Sequence, residues 1–139
     1  MRNPHFGFSL AELLVTMTIV GLLASVALPS YRHSMLRVQR SEAKAELLQT
    51  SAELERCFLR FNSYTSADCV ARNTLPHALA SGHYLILAAT VAADRYTLHA
   101  VPQGAQAEDR DCRTLTLDSS NARGVTGGAD KSAAYCWSR

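Results

Sequence analysis

Gly7-Phe8-Ser9-Leu10-Ala11-Glu12-Leu13-Leu14-Val15-Thr16-Met17-Thr18-Ile19-Val20-Gly21 opens an apolar run that continues to Leu28. Glu12 is the only charge in that run. An acid at the centre of a bilayer helix costs about 2.5–3.5 kcal/mol by insertion scales. Glu12 is therefore either badly placed or employed, and employment requires a specific positive partner.

Three readings of the segment compete. Arg2, the apolar centre and the small residues Ser25-Val26-Ala27 fit a secretory signal cut after Ala27. The same stretch reaches the ~20 residues that a spanning helix needs. The third reading is a cut after Gly7, which leaves the apolar run in the mature chain. Glu12 separates them. A signal's apolar centre has no evident use for an acid. A cut after Gly7 creates an amine on Phe8 and puts Glu12 on the first turn of a helix. Free N–H groups and the helix dipole favour a carboxylate there. When related helices stack with a stagger, the amine of one neutralises the acid of the next. Burying that pair is tolerable, whereas burying either charge alone is expensive.

Beyond Leu28 the pattern changes. Pro29 removes a helix hydrogen bond and Gly21 weakens the helix, so the segment between them is the expected place to bend or unwind. Leu36, Ala43, Leu47, Leu54, Phe58 and Phe61 then recur in steps of seven, four, seven, four and three. They trace one helical face. A single helix is expected from about Phe8 to about Phe61, roughly 80 Å long. Its first half is apolar all round, and its second half buries one stripe. Arg32, Arg37, Arg40 and Lys44 follow the apolar run. They read as a solvated face or as a contact for headgroups or an acidic neighbour.

Residues 62–81 carry no period and read as a connecting loop. His83–Val91, Tyr96–Val101 and Cys112–Leu117 read as strands, with Asp94-Arg95, Asn121-Ala122-Arg123-Gly124 and Gly127-Gly128 as turns. Successive strands with short turns imply an antiparallel meander of about four strands packed on the stripe, an α+β fold. Cys57, Cys69, Cys112 and Cys136 form no Cys-x-x-Cys pair. Behind an export-like segment they read as two disulfides. Of three possible connectivities, sequential pairing closes the shortest loops and is the one expected.

The remaining residues exclude more than they assign. A net charge of +2 is too small to argue for nucleic acid or a membrane surface by bulk electrostatics. The five histidines have no helical pairing with an acid or Cys, although His99 and His83 could meet across two strands. There is no Gly-x-Ser-x-Gly, no phosphate-binding glycine loop and no His-Glu-x-x-His. Neither catalysis, a metal nor a cofactor is expected. Tyr135 and Trp137 read either as an exposed adhesive patch or as an anchor.

Gly7-Phe8-Ser9-Leu10-Ala11-Glu12 and the run behind it resemble the leader of type IV pilins and type II secretion pseudopilins. The resemblance implies cleavage after Gly7 by a prepilin peptidase, N-methylation of Phe8, and a Glu12 that guides subunit stacking. Pro29 stands where the family commonly has a proline. The implied organisation is a leader over residues 1–7, an apolar membrane and filament-core half-helix over 8–30, and a periplasmic domain over 31–139. A bridge between Cys112 and Cys136 matches the family's terminal loop. Cys112-Arg113-Thr114-Leu115-Thr116-Leu117, Gly124 and Cys136-Trp137 resemble PilE-type minor pilins in particular. Pseudopilins more often lack that bridge and bind calcium there, whereas Asp109, Asp111, Asp118 and Asp130 have no calcium-loop spacing.

The expected function is therefore a structural minor subunit of a type IV pilus, supporting assembly and hence adhesion or twitching motility. Its implied partners are other pilins, the peptidase and, before assembly, the bacterial inner membrane; the filament is extracellular. The alternatives are a pseudopilin, a secreted protein released after Ala27, and a pilin-like module that captures DNA or a surface. Arg110, Arg113, Arg123, Lys131 and Arg139 are the candidates for the last role. They are scattered, with acids between them.

Overall fold

The computed structural model describes residues 9–138. Gly7, Phe8 and Arg139 lie outside them, so the expected cleavage and methylation positions are not described. The chain divides into two compact units, Met1–Met35 and Leu36–Arg139.

Helix α1 runs from Leu10 to Phe61 and continues through Gly21 and Pro29. Its buried residues are Arg40, Ala43, Leu47, Thr50, Leu54 and Cys57. The stripe is thus the expected one with two corrections. Arg40 and Thr50 fill the seven-residue gaps between the apolar positions, because the helical face continues there whatever its chemistry. Phe61, expected on the stripe, is exposed.

The second unit places five antiparallel strands in chain order against this stripe: β1 His77–Ala78, β2 Tyr84–Val91, β3 Tyr96–Pro102, β4 Thr114–Asp118 and β5 Arg123–Thr126. The register explains the core. Ile86 faces Ala100, Ala100 faces Leu115, and Leu115 faces Val125. The next row is Ala88, Leu98 and Leu117. Side chains alternate across a strand, so these rows share one face. Ile86, Leu98, Ala100, Leu115 and Leu117 are fully buried in one cluster with Ala43, Leu47 and Leu54 of α1. Polar contacts fix the same layer. Glu55 accepts hydrogen bonds from Tyr64 (2.9 Å) and Tyr96 (3.0 Å), and His77 Nε2 lies 2.8 Å from Glu46.

The fold is the expected α+β arrangement with one strand more than the expected four or so. β1 and the short helix α2 (Val70–Asn73) lie inside the 62–81 segment read as loop. Two strand residues are too few to show a period. β5 was hidden by Gly124, which resembles turn punctuation. A Cβ there would sit 2.5 Å from Thr116 Oγ1, so the glycine permits close approach of β4 and β5. The turn itself lies earlier. Asp118 Oδ1 accepts from Ser120 N, Ser120 Oγ and Ala122 N, and Asn121 takes φ 62°. His83 and His99 do not meet: His99 faces Leu87, and His83 pairs with Gln103.

The disulfides are Cys57–Cys69 and Cys112–Cys136, with Cα atoms 5.4 and 5.6 Å apart. The first joins the end of α1 to the start of α2. The second joins the approach to β4 to helix α3 (Ala133–Ser138). Leu47→Ala should cost about 2–5 kcal/mol, because its side chain is fully buried. Leu59→Ala, at an exposed site on the same helix, should change stability by less than about 0.5 kcal/mol. Urea unfolding of the full chain in detergent checks both.

Candidate functional site

Two regions carry chemistry that the core does not consume. The first is the apolar half of α1. Leu10, Val26 and Leu23 are 75%, 73% and 67% exposed, and their neighbours are alike. Three of its hydroxyls are satisfied locally. Thr16, Thr18 and Ser25 donate to the carbonyls of Leu13, Leu14 and Leu22 at 2.7–2.8 Å. That habit suits a helix facing an apolar medium. The helix contains a window of mean hydropathy 2.1, long and apolar enough to cross a membrane. Glu12 lies in its first turn, where the N-terminal N–H groups favour an acid. Nothing lies within 4 Å of a Cβ built on Gly21, so packing inside the chain does not require glycine there.

The second region surrounds the connection from β3 to β4. Gly104–Glu108 forms a 3₁₀ turn, in a segment expected to be loop. It ends at Asp109, whose N–H donates to the Gln106 carbonyl at 3.0 Å. Asp109 is buried against Arg40 of α1. Arg40 Nε and Nη2 donate to the two carboxylate oxygens at 2.5 and 2.6 Å. Arg40 Nη2 also lies 3.6 Å from Asp111. Gln106, fully buried, donates to Asp109 at 3.3 Å, to Tyr84 Oη at 2.9 Å and to the Leu36 carbonyl at 3.4 Å. Burial works against the charge of Arg40, but the Asp109 hydrogen bond and the two acids outweigh it and raise its pKa. Burial and the nearby Arg40 charge hold Lys44 below its usual range. The basic group read from the sequence is thus divided: Arg40 is interior, and Lys44 donates to the Cys136 carbonyl at 3.4 Å.

Beyond Asp109 the chain gathers three of the five candidate cations. The Asp130 N–H donates to the Arg110 carbonyl, and the Lys131 N–H to the Asp111 carbonyl, each at 2.9 Å. The Arg113 N–H donates to the Asp109 carbonyl at 3.2 Å, and Arg113 takes φ 46°. Arg110, Arg113 and Lys131 therefore share one backbone frame, closed by Cys112–Cys136. Arg110 and Arg113 line a cleft of about 570 Å³ with Ala107 and Glu108. Arg123 is separate from this frame. It lies on β5 opposite Leu117, with its guanidinium 5.3 Å from the Trp137 ring centroid. Trp137 is half-buried and donates to the Gly124 carbonyl at 3.0 Å, so it anchors α3 on the edge strand. Two of the four acids considered for calcium are otherwise engaged: Asp109 by Arg40, and Asp118 by its own turn. Among the described residues no group of three His, Cys, Asp or Glu is disposed to hold a metal.

A long helix with an apolar first half, its second half packed on an antiparallel sheet tied down by a C-terminal disulfide, defines a pilin. The family model "Type IV minor pilin ComP, DNA uptake sequence receptor" matches residues 29–116, more than half of the chain, and the chain belongs to this family. A "Prokaryotic N-terminal methylation motif" matches residues 2–28. The type IV major fimbrial protein FimA of Dichelobacter nodosus is 32% identical over 81 residues, 58% of this chain and 51% of that protein. The type IV major pilin PilE1 of Neisseria gonorrhoeae is 54% identical over 43 residues, 31% of this chain and 26% of that protein. The chain thus spans about half or less of the curated relatives it matches. The crystal structure of the Neisseria meningitidis non-core minor pilin PilV shares the fold, with a TM-score of 0.56 and 23% identity over 72% of this chain and 94% of that one. The chain is a type IV minor pilin. Its methylation motif and apolar helix fit a protein anchored in a membrane and then held in a pilus.

The buried phenols supply a pH test. Burial raises Tyr84 from 10.0 to about 12, and burial with the Glu55 hydrogen bond raises Tyr64 to about 12. Their contribution is fully present below pH 10.0 and is lost as pH rises through about 12, because the unfolded chain ionises first. The urea midpoint should fall across that window, and Tyr84→Phe should flatten the fall.

Proposed function

We propose that this minor pilin is cut after Gly7 by a prepilin peptidase, methylated on Phe8, and held in the inner membrane with residues 31–139 periplasmic until it enters the filament. There the apolar half of α1 is covered by other helices. Exposing a Leu, Val or Ile of this half to water would cost about 1.5–3 kcal/mol, so the helix can leave the bilayer only where other helices cover it. Glu12 meets the Phe8 amine of a neighbouring subunit. Gly21 and Pro29 let the helix adjust in the packed filament. The observation that carries this reading is the match of the methylation motif over residues 2–28 to the apolar first half of α1.

At its outer surface we infer that the subunit captures duplex DNA. The family description names a DNA uptake sequence receptor. The sharing of one frame by Arg110, Arg113 and Lys131 supports carrying that role to this chain. Three cations on a rigid frame suit three phosphates, whose neutralisation releases counterions. The scatter of these residues along the sequence is not a scatter in space. A pseudopilin role is disfavoured by the family match and by the engagement of Asp109 and Asp118.

Mass spectrometry of the mature protein should find methylated Phe8 at the N-terminus; a start at Leu28 would end the pilin processing scheme. Glu12→Ala should be processed normally but enter pili poorly, read by immunoblot of sheared filaments. Duplex DNA binding by the full chain in detergent should weaken roughly 40-fold between 50 and 200 mM salt if three phosphates are engaged. Arg110→Gln, Arg113→Gln and Lys131→Gln together should abolish that binding. Absence of binding by the unaltered chain would remove the DNA role and leave the assembly role standing.

A further inference from the structure

The Arg40–Asp109 pair is unusual for its place. Arg40 is 1% exposed and Asp109 3%, and the rest of the Arg40 stripe, Ala43, Leu47, Thr50, Leu54 and Cys57, carries no charge. A buried ion pair is seldom more stable than apolar residues of the same size, because both charges lose their water. What it supplies is direction. A guanidinium fork accepts a carboxylate in one geometry, bidentate and planar. A leucine pair would permit sliding.

That direction is transmitted to the surface by few bonds. Asp109 and Asp111 both lie beside Arg40, and the residue between them, Arg110, is exposed. Alternate residues of this turn thus face opposite ways. The Asp109 carbonyl receives the Arg113 N–H, and the Arg110 and Asp111 carbonyls receive the N–H groups of Asp130 and Lys131. Arg110 is the chain neighbour of Asp109, and Arg113 and Lys131 are each one backbone hydrogen bond from Asp109 and Asp111 respectively. Arg40 itself, at 1% exposure, cannot touch a phosphate.

We propose that Arg40 and Asp109 are positioning residues for polyanion capture, setting the spacing of Arg110, Arg113 and Lys131 from inside the core; this rests on the DNA-binding reading above. The pair couples the helix that is common to assembly with the loop that reads the ligand. It acts through geometry and not through charge.

The test is a charge-neutral replacement, Arg40→Met with Asp109→Leu, in the full chain in detergent. It removes one positive and one negative charge, so the net charge stays at +2. The melting temperature should change little, because apolar residues of similar volume replace a buried pair. Affinity for a duplex DNA fragment at 50 mM salt should fall about tenfold, and the salt slope should drop from about three phosphates to about one. Amide resonances of Arg110, Arg113 and Lys131 should broaden or shift. A folded double variant with unchanged affinity and slope overturns the proposal. If the double variant does not fold, Arg40→Lys decides. It keeps the charge but loses the fork, and should give an intermediate slope; an unaltered slope there also overturns the proposal. Failure of the unaltered chain to bind duplex DNA at 50 mM salt defeats the parent reading, and the positioning role with it. That outcome is distinct from binding that survives loss of the pair.

Discussion

One helix has to satisfy two different surroundings, and the rest of the molecule follows from how α1 does so. Up to Leu28 it is apolar on every side, with hydroxyls turned back on their own carbonyls. From Leu36 onward it buries a single stripe and solvates the rest. A stripe one helix wide cannot be covered by the helix itself. The five-stranded sheet supplies the cover, and its register places Ile86, Leu98, Ala100, Leu115 and Leu117 on the face that meets it.

The cover is small, and covalent and polar ties supplement it. Cys57–Cys69 closes a 12-residue separation and Cys112–Cys136 one of 24. Crosslinks of this span contribute about 3 kcal/mol each under the chain-entropy model. Tyr64 stacks on Phe58 and meets Tyr96 edge-on, both with centroids 4.8 Å apart, while Glu55 collects both phenols. At the far side of the sheet, α3 caps β5 through Trp137. An edge strand with its carbonyl occupied is a poor template for stray pairing.

These ties also decide what the surface presents. The loop before β4 is held from below by Arg40 and from the side by the C-terminal segment. Its cations are therefore placed by the core and not by loop chemistry. Arg123 belongs to a different arrangement, a ring contact at the opposite end of β5 from the Arg113 side. The described candidate cations divide into a frame of three and Arg123 on its ring contact, a division that net charge does not reveal.

The helix, its apolar run, the disulfide partners and the meander were all legible in the residues. Each depends on local spacing: a period of 3.6, a period of two, or the shortest closed loop. The burial of Arg40 was not legible. At its position the helical face continues, but its chemistry is that of the basic group around it, and the deciding partner is Asp109, 69 residues away. The gathering of Arg110, Arg113 and Lys131 was hidden for the same reason, since it depends on backbone hydrogen bonds between segments 20 residues apart in the chain. β5 was masked because Gly124 serves strand approach and not a turn. The sequence alone determined the long helix, the fold class and the pilin family, because those follow from local periodicity and a contiguous motif. Only the tertiary structure decided which charges are interior and which cations stand together, because burial and long-range hydrogen bonding assign partners that spacing along a chain does not encode.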